Sequence, residues 1–456
     1  MTRAIEGQDR ARSAGEQIRF ADSIVALSSG RLPSGVAVVR VSGPQARFAV
    51  ETIGGRPIVP RVATLATFVD GAGFAIDRGL VLFFEGPRSF TGEDVAEFHV
   101  HGGRASVAAL LKALTGMDRV RLAEAGEFTR RAFLHGKLDL TETEALADLI
   151  EAETEAQRRF AVMNASGAQR ALYLGWRQRL IHARAMIEAE IDFADEDDVP
   201  GSVADVVWTD VRAMSDEMER HLAGFHAAEI IRDGYDVVIL GAPNAGKSSL
   251  FNALARREAA IVTDEPGTTR DLLEVAMDIG GIKVRITDTA GLRADGGKVE
   301  AIGIERAKAR AGAADLVLVL EDMTAPKPVD VAALQCPMLR IGTKVDLVRD
   351  EGSIARSYDL AISSKAGTGV DFLVGEIGAR AAVQVAAAGD VLPSRLRHVE
   401  LLREARTFML RSANGRDQEL RAEDLRIAAD RLGRIVGASE VEDLLDVIFS
   451  QFCIGK

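Results

Sequence analysis

Residues 235–249 read YDVVILGAPNAGKSS, and this stretch decides the fold around it. An apolar run suits a buried strand, Gly241 and Gly246 bracket a loop, and Lys247, Ser248 and Ser249 open a helix. The spacing is G-x-x-x-x-G-K-S with the strand in front that the pattern requires. Backbone N–H groups of such a loop, at a helix N-terminus, cradle the α- and β-phosphates of a nucleotide. Asn244, Ala245 and Gly246 line that cradle, Lys247 reaches the β/γ oxygens, and the Ser248 hydroxyl ligates magnesium.

The other parts of a Ras-like site follow in order. Gly267-Thr268-Thr269-Arg270 lies in a loop placed to order over the γ-phosphate, with Thr269 as the second hydroxyl ligand to magnesium. Asp288-Thr289-Ala290-Gly291 follows the alternating strand 283–287. There Asp288 holds the metal's water shell, and the Gly291 N–H contacts the γ-phosphate. A strand at 316–320 precedes another at 338–341, after which comes Thr343-Lys344-Val345-Asp346. An Asp at 346 accepts from the guanine N1–H and exocyclic amine, which adenine cannot supply in that form. Ser363-Ser364-Lys365, after a strand at 360–362, fits the last base-binding loop. The fourth motif usually begins with Asn. With Thr343 there, a shorter hydroxyl replacing some base contacts, the expectation is weaker base affinity with specificity kept. Hydrolysis also needs a group to orient water. Leu292 stands where Ras-type proteins carry Gln, so Asn244, as a cation ligand, and Glu300, acting through an intermediate water, are the candidates. Each, taken alone, also reads as an ordinary solvated residue.

At 456 residues the chain is long enough for several domains, and its 47% apolar content is ample for real cores. A net charge of −12 excludes a surface coated in basic residues, so RNA contact would have to be local or assisted by a partner. Cys336 and Cys453 are the two cysteines, which excludes a disulfide framework and suits a reducing cytoplasm. No stretch is apolar enough to span a membrane. The polar residues 1–20 lack a hydrophobic signal core and read as a disordered extension.

Short apolar strands at 24–27, 35–41, 80–84 and 96–100, with one helical stretch at 106–114, predict an N-terminal α+β domain over 21–136. Residues 137–233 carry Ala, Glu, Leu and Arg at helical spacing with no strand signal. An α/β P-loop GTPase domain occupies 234–390, and 391–456 returns to helix. The organisation expected is therefore multidomain: an α+β domain, then an all-α helical domain in two halves with the Ras-like GTPase inserted between them.

Beyond these pieces the chain carries Asp22-Ser23-Ile24-Val25-Ala26, Ser89-Phe90-Thr91-Gly92-Glu93-Asp94-Val95 and His99-Val100-His101-Gly102-Gly103. It also carries Gly126-Glu127-Phe128-Thr129-Arg130-Arg131-Ala132-Phe133, Gly136-Lys137-Leu138-Asp139-Leu140-Thr141 and a terminal Cys453-Ile454-Gly455-Lys456. With these segments it resembles the tRNA modification GTPases of the MnmE (TrmE) family, from Asp22 to the last residue. The resemblance implies a homodimer that works with a flavin-containing partner, MnmG (GidA), on carbon 5 of the wobble uridine of certain tRNAs. It implies a folate, 5-formyltetrahydrofolate, as source of the one-carbon unit, held by Arg40, Glu97, Lys137 and Lys456. It implies activation by potassium, with Asn244, Thr263, Glu265 and Thr268 around the ion. The loop Thr263-Asp264-Glu265-Pro266-Gly267-Thr268 closes over it, and Glu300 is the catalytic acid acting on water. Carboxylate pairing of Glu97 with an amidine-like pterin face, and a cation for the glutamate tail, agree with that chemistry.

For Cys453 two readings stand open: a nucleophile in one-carbon chemistry, or an apolar neighbour of Phe452 and Ile454 in a tail that places Lys456. The acidic run 195–198 reads as a solvated helix end, and His99 and His101 lack the partners of a zinc site. Arg170, Arg177, Arg179 and Arg184 read as a charged outer face rather than an RNA contact. Departures from the family pattern are Ala125 and His135, where Pro and Asn are usual. Two other classes compete, a ribosome-assembly RNA-binding GTPase and a purely regulatory switch. The C-terminal helical segment speaks against the former, which typically carries an RNA-binding module there.

Overall fold

The computed structural model describes residues 20–55, 57–192, 203–257, 259–261, 273–288, 310–332, 334–348, 357–386, 391–439, 445, 448–450, 452 and 455. The chain divides into two compact units, Met1–Ala147 with Val436–Lys456, and Asp148–Ile435.

The first unit contains β1 (Ser23–Leu27), β2 (Ser34–Ser42), α1 (Ala46–Gly54), β3 (Thr64–Val69), β4 (Ala75–Phe84), β5 (Val95–Gly102), α2 (Arg104–Thr115), β6 (Val120–Leu122) and α3 (Glu127–Leu134). Its six-stranded sheet runs β3-β4-β5-β2-β1-β6. Pairing is antiparallel except between β1 and β6. Val39, Val41, Val81, Phe98 and Val100 alternate inward and pack under α1 and α2 with Val50, Leu110 and Leu114. The sequence leads to one helix and four strands here. The structure adds α1, α3, β3 and β6. In β3, Thr64 and Thr67 mask the apolar alternation, yet Ala66 and Phe68 are buried.

The end of the chain packs into this unit. Phe449 and Phe452 join Leu140, Leu445 and Ile448 in one apolar cluster. Two glycines permit that docking. Gly126 has φ +66°, and a Cβ there would lie 2.4 Å from the Phe449 carbonyl oxygen. Gly455 has φ +101°, and a Cβ there would lie 2.0 Å from the Leu27 carbonyl oxygen. Any side chain at either place collides with backbone, in a conformation that L residues disfavour.

The second unit holds helices and a second sheet. The helix α4 (Leu140–Glu151) runs across the division between the units; α5 (Glu155–Ala165), α6 (Ala168–Asp192), α7 (Val203–Ala223) and α8 (Phe225–Asp233) follow. Then come β7 (Tyr235–Gly241), α9 (Lys247–Ala255), β8 (Ala260–Ile261), β9 (Leu273–Ile279), β10 (Ile282–Asp288), β11 (Leu316–Asp322), β12 (Met338–Thr343), β13 (Leu360–Ile362), α10 (Val370–Ala386), α11 (Leu396–Asn414) and α12 (Gln418–Val436). The sheet order is β13-β12-β11-β7-β10-β9-β8. Strands β13, β12, β11, β7 and β10 are parallel, and β9 and β8 add an antiparallel edge. Strand β7 lies at the middle and is buried along its length, the burial expected of a parallel strand covered on both faces. No helix among the described residues is long and apolar enough to cross a membrane.

The sheet is fastened to the helices around it. Thr154 and Gln157 form a reciprocal capping box at the start of α5. From that helix end the Gln157 amide donates to the Arg232 carbonyl at 2.8 Å, and the Ala156 N–H donates to Gly281 at 2.9 Å. On the chain's return, the Gln169 amide donates to the Leu392 carbonyl. Arg395 pairs with both carboxylate oxygens of Asp148, at 2.7 and 3.0 Å.

Candidate functional site

The turn from β7 to α9 has the geometry that its glycines suggest. Gly246, immediately before α9, sits at φ +93°, and Asn244 sits at φ +65°. Asn tolerates the left-handed region better than most residues, so the loop curls without a third glycine. The Lys247 ammonium donates to the carbonyls of Gly241 at 2.8 Å and Ala242 at 3.0 Å, folding the side chain back over the loop. The Ser248 hydroxyl lies 3.4 Å from Oδ2 of Asp288, which is itself fully buried at the end of β10. Register explains this convergence: β10 runs parallel beside β7, with Asp288 opposite Ile239.

The base-binding motifs arrive on β12 and β13, at the same C-terminal end of the sheet. Thr343 ends β12, and its hydroxyl lies 2.8 Å from the Ala245 carbonyl oxygen and 3.2 Å from that of Glu321. The sequence leads to the expectation of base contacts from this hydroxyl, whereas its close neighbours here are backbone carbonyls of the protein. Its proton goes to the phosphate loop. Lys344, at φ +62°, is paired with Asp322. Burial raises the Asp322 carboxyl, but bonds from Lys344 and Thr324 outweigh it and hold the group below its ordinary value. Asp346 stands exposed in a short 3-10 turn after Lys344. The last loop is braced by the Ser363 N–H to Thr368 and the Ala366 N–H to the Ser363 hydroxyl. Lys365 is exposed and Ser364 half-buried.

Thr263, Asp264, Glu265, Pro266, Gly267, Thr268, Thr269, Thr289, Ala290, Gly291, Glu300, Cys453 and Lys456 lie outside the described residues, as do residues 1–19 of the N-terminal extension and the acidic run. Phe20, the last of the extension, is described, and its ring lies 4.2 Å from the Arg131 guanidinium.

In the first unit Arg40 and Glu97 are directly opposed across β2 and β5. The guanidinium meets Oε1 of Glu97 at 2.9 and 3.0 Å. Oε2 lies 3.8 Å from Nε2 of His99. Arg40 also lies over the rings of Phe90 and Phe128, at 5.3 and 5.8 Å. Lys137 is exposed, and its Cε lies 3.4 Å from where a Gly92 Cβ would be, in the loop that carries Phe90. Ala26 pairs with Arg40 in the sheet, and Gly455 approaches the next residue, Leu27. The Ser28 hydroxyl donates to the Gly455 carbonyl at 2.9 Å, fixing the tail there. Three of the four expected folate contacts thus come from one neighbourhood, and the fourth follows directly after Gly455 in sequence.

Behind this face is an ion network that sequence reasoning missed. Arg131 is buried and donates to Oδ1 of Asp22 at 3.0 Å, to Oε1 of Glu127 at 3.0 Å and to both oxygens of Glu93 at 3.2 Å. Burial raises the Asp22 and Glu127 carboxyls. The bonds from Arg121 and Arg131 more than reverse this and leave both below the ordinary carboxylate range. The network joins segments that begin D-S-I-V-A, S-F-T-G-E-D-V and G-E-F-T-R-R-A-F. Recurring charged residues in three separate apolar settings were the available signal. Two of the arginines read as an outer face are satisfied locally, Arg179 by Asp210 and Glu217 and Arg184 by Glu188, and His101, which lacked zinc partners in the sequence, lies against Asp77.

Comparison with known proteins identifies the family. The family described as "MnmE helical domain" matches residues 140–453, and that described as "GTP-binding protein TrmE N-terminus" matches 23–137. The chain belongs to the MnmE (TrmE) family. The tRNA modification GTPase MnmE of Mesorhizobium japonicum is 70% identical over 440 residues, covering 95% of this chain and 99% of that one. MnmE of Chelativorans sp. (strain BNC1) is 56% identical over 443 residues, covering 97% and 100%. A solved Era of Aquifex aeolicus bound to GDP.AlF4- superposes on 40% of this chain and 68% of its own, at 20% identity and a TM-score of 0.26, too low to bear on the fold. Nucleotide motifs and a TrmE-type N-terminus occur here in a single polypeptide.

Proposed function

We propose that this MnmE-family protein hydrolyses GTP in the course of modifying carbon 5 of a wobble uridine in tRNA. The observation that carries the GTP reading is the meeting of Ser248 and Asp288, 3.4 Å apart beside Lys247 at the start of α9. Two oxygens placed there suit magnesium, one as a direct ligand and one through water. On this reading Asn244 through Ser249 hold the phosphates, with Thr263 through Thr269 and Thr289 through Gly291 closing on the γ-phosphate. Thr269 completes the magnesium site. Asp346 reads the guanine edge, and Lys344 with Ser363, Ser364 and Lys365 frames it.

Potassium beside the phosphates, held by Asn244, Thr263, Glu265 and Thr268, supplies the charge that an arginine finger provides elsewhere. Asn244 sits in the left-handed region within the phosphate loop itself, which supports this placement. Glu300 orients the attacking water indirectly, in the place that Leu292 cannot fill.

The N-terminal site is assigned to 5-formyltetrahydrofolate. Its fit rests on Glu97, a carboxylate held on Oε1 by Arg40 and of the kind that pairs with a pterin N–H face. Lys137 and Lys456 meet the anionic tail. Cys453 stays assigned to either of two roles, nucleophile or packing residue. The folate supplies the one-carbon unit, a flavin-containing MnmG partner supplies redox chemistry, and the working form is a homodimer in the cytoplasm. The domain limits proposed from sequence, 21–136, 137–233, 234–390 and 391–456, serve this division of labour, although the tail at Val436–Lys456 packs with the first unit.

Titration calorimetry with Mg–GTP and with 5-formyltetrahydrofolate tests the assignment. Both ligands should bind, independently of one another at saturation. GTP binding without folate binding would favour a ribosome-assembly GTPase instead.

A further inference from the structure

Thr343 is buried at 2% exposure and rides on the end of β12, opposite Asp322 of β11. A hydroxyl has one proton to donate. Its two close neighbours, the carbonyl oxygens of Ala245 at 2.8 Å and Glu321 at 3.2 Å, are acceptors only, so that proton is spent inside the protein. Ala245 is itself 2% exposed and lies between two residues at positive φ, Asn244 and Gly246. It is the part of the loop with the least freedom to find another donor.

We propose that Thr343 is a positioning residue that ties the phosphate loop to the sheet and makes no hydrogen bond to the guanine ring. Base selection then rests on the Asp346 carboxylate and the Ser363-Ser364-Lys365 loop, with no hydrogen bond from Thr343. Guanine N7 is an acceptor and can be read only by a donor. The committed hydroxyl has none left. This inference rests on the GTP assignment above, and it replaces the expectation that Thr343 takes over part of an Asn's base contacts.

The test compares Mg–GTP with Mg–7-deaza-GTP, which lacks the N7 acceptor, by titration calorimetry on the full chain. The two should bind the wild type within about twofold, because no hydrogen bond to N7 is lost. Thr343→Ser keeps the hydroxyl and should bind both nucleotides as the wild type does. Thr343→Val strands the Ala245 carbonyl and should weaken GTP, 7-deaza-GTP and GDP alike by roughly tenfold. Should the Val variant fail to fold, the wild-type comparison and the Ser variant still decide. A wild-type preference for GTP over 7-deaza-GTP of about fivefold or more overturns the proposal, as does wild-type affinity in a folded Val variant. Failure of the wild type to bind GTP at all would instead sink the GTP assignment.

Discussion

The nucleotide site takes its phosphate-binding groups from one strand–loop–helix connection, Gly241 to Ser248, whereas the N-terminal site takes Arg40 from β2, Glu97 from β5, Lys137 from the loop after α3 and its tail from residue 455. In the first, backbone geometry does most of the binding, and neighbouring residues supply it by local conformation alone. In the second, side chains must be brought together by a whole sheet and a docked chain end. The contrast predicts different failure modes. A point change in the loop should remove chemistry and leave the fold, while changes that undock the tail should weaken one ligand without touching the other.

The largest effect is expected at Lys247. Lys247→Ala should lower kcat for GTP by about a hundred- to a thousandfold while folate affinity stays at the wild-type value. Parallel loss of folate binding would show that the two sites are not separable.

Acid should act on the two units in different pH windows. His221, in the second unit, accepts or donates at 3.0 Å with the Tyr173 hydroxyl and contacts the Val391 carbonyl. Burial pushes its imidazole down to about 4, and His398 adds to this. Below the free value near 6.5 the unfolded chain takes up a proton that the folded chain refuses. Stability is therefore complete above about pH 6.5, falls as pH drops toward 4, and loses roughly 3 kcal/mol across that window. In the first unit the shifts of Asp22 and Glu127 run downward, so that contribution is intact above the ordinary carboxylate range and is lost only below it. Scanning calorimetry at pH 7 and pH 5 should show the second unit's transition moving down and the first unit's staying. His221→Gln should abolish the difference. Equal movement of both transitions would contradict the assignment.

A smaller effect is expected from the monovalent cation. GTP hydrolysis should be about tenfold faster in potassium than in sodium chloride, and Asn244→Ala should remove that advantage. Equal wild-type rates in the two salts would remove the ion from the site.

The mildest change is Gly455→Ala. Its Cβ would meet the Leu27 carbonyl, so the tail should leave its groove and folate affinity should fall severalfold, with GTP hydrolysis unchanged. Unaltered folate binding would mean that Lys456 takes no part in the site.

What could be read from the sequence follows the same contrast. Strand β7, the loop and α9 are contiguous, so apolar run, glycine spacing and Lys-Ser were enough to place them. Asp288 and Thr343 end parallel strands and Ser363 follows one, and order along the chain placed them at one end of the sheet. The direction of the Thr343 hydroxyl was not legible, because it depends on how close β12 passes to Ala245. For Arg40 and Glu97 no local pattern exists: a cross-strand pair separated by 57 positions appears only once register is known. That site came from resemblance alone. The Arg131 network was hidden for a further reason, since a buried arginine surrounded by carboxylates looks in sequence like any charged helix face. Strand β3 is hidden because threonines interrupt its apolar alternation, whereas α1 does carry a readable signal: its buried Ala46, Ala49, Val50 and Ile53 fall at i, i+3, i+4 and i+7.

The account stands or falls on whether GTP turnover in this chain serves tRNA modification. Mass spectrometry of tRNA nucleosides from cells in which this gene is disrupted, then restored as wild type or as Lys247→Ala, measures that directly. The 5-substituted wobble uridine should vanish on disruption, return with the wild type and stay absent with the variant. A nucleoside profile unchanged by disruption would contradict the account.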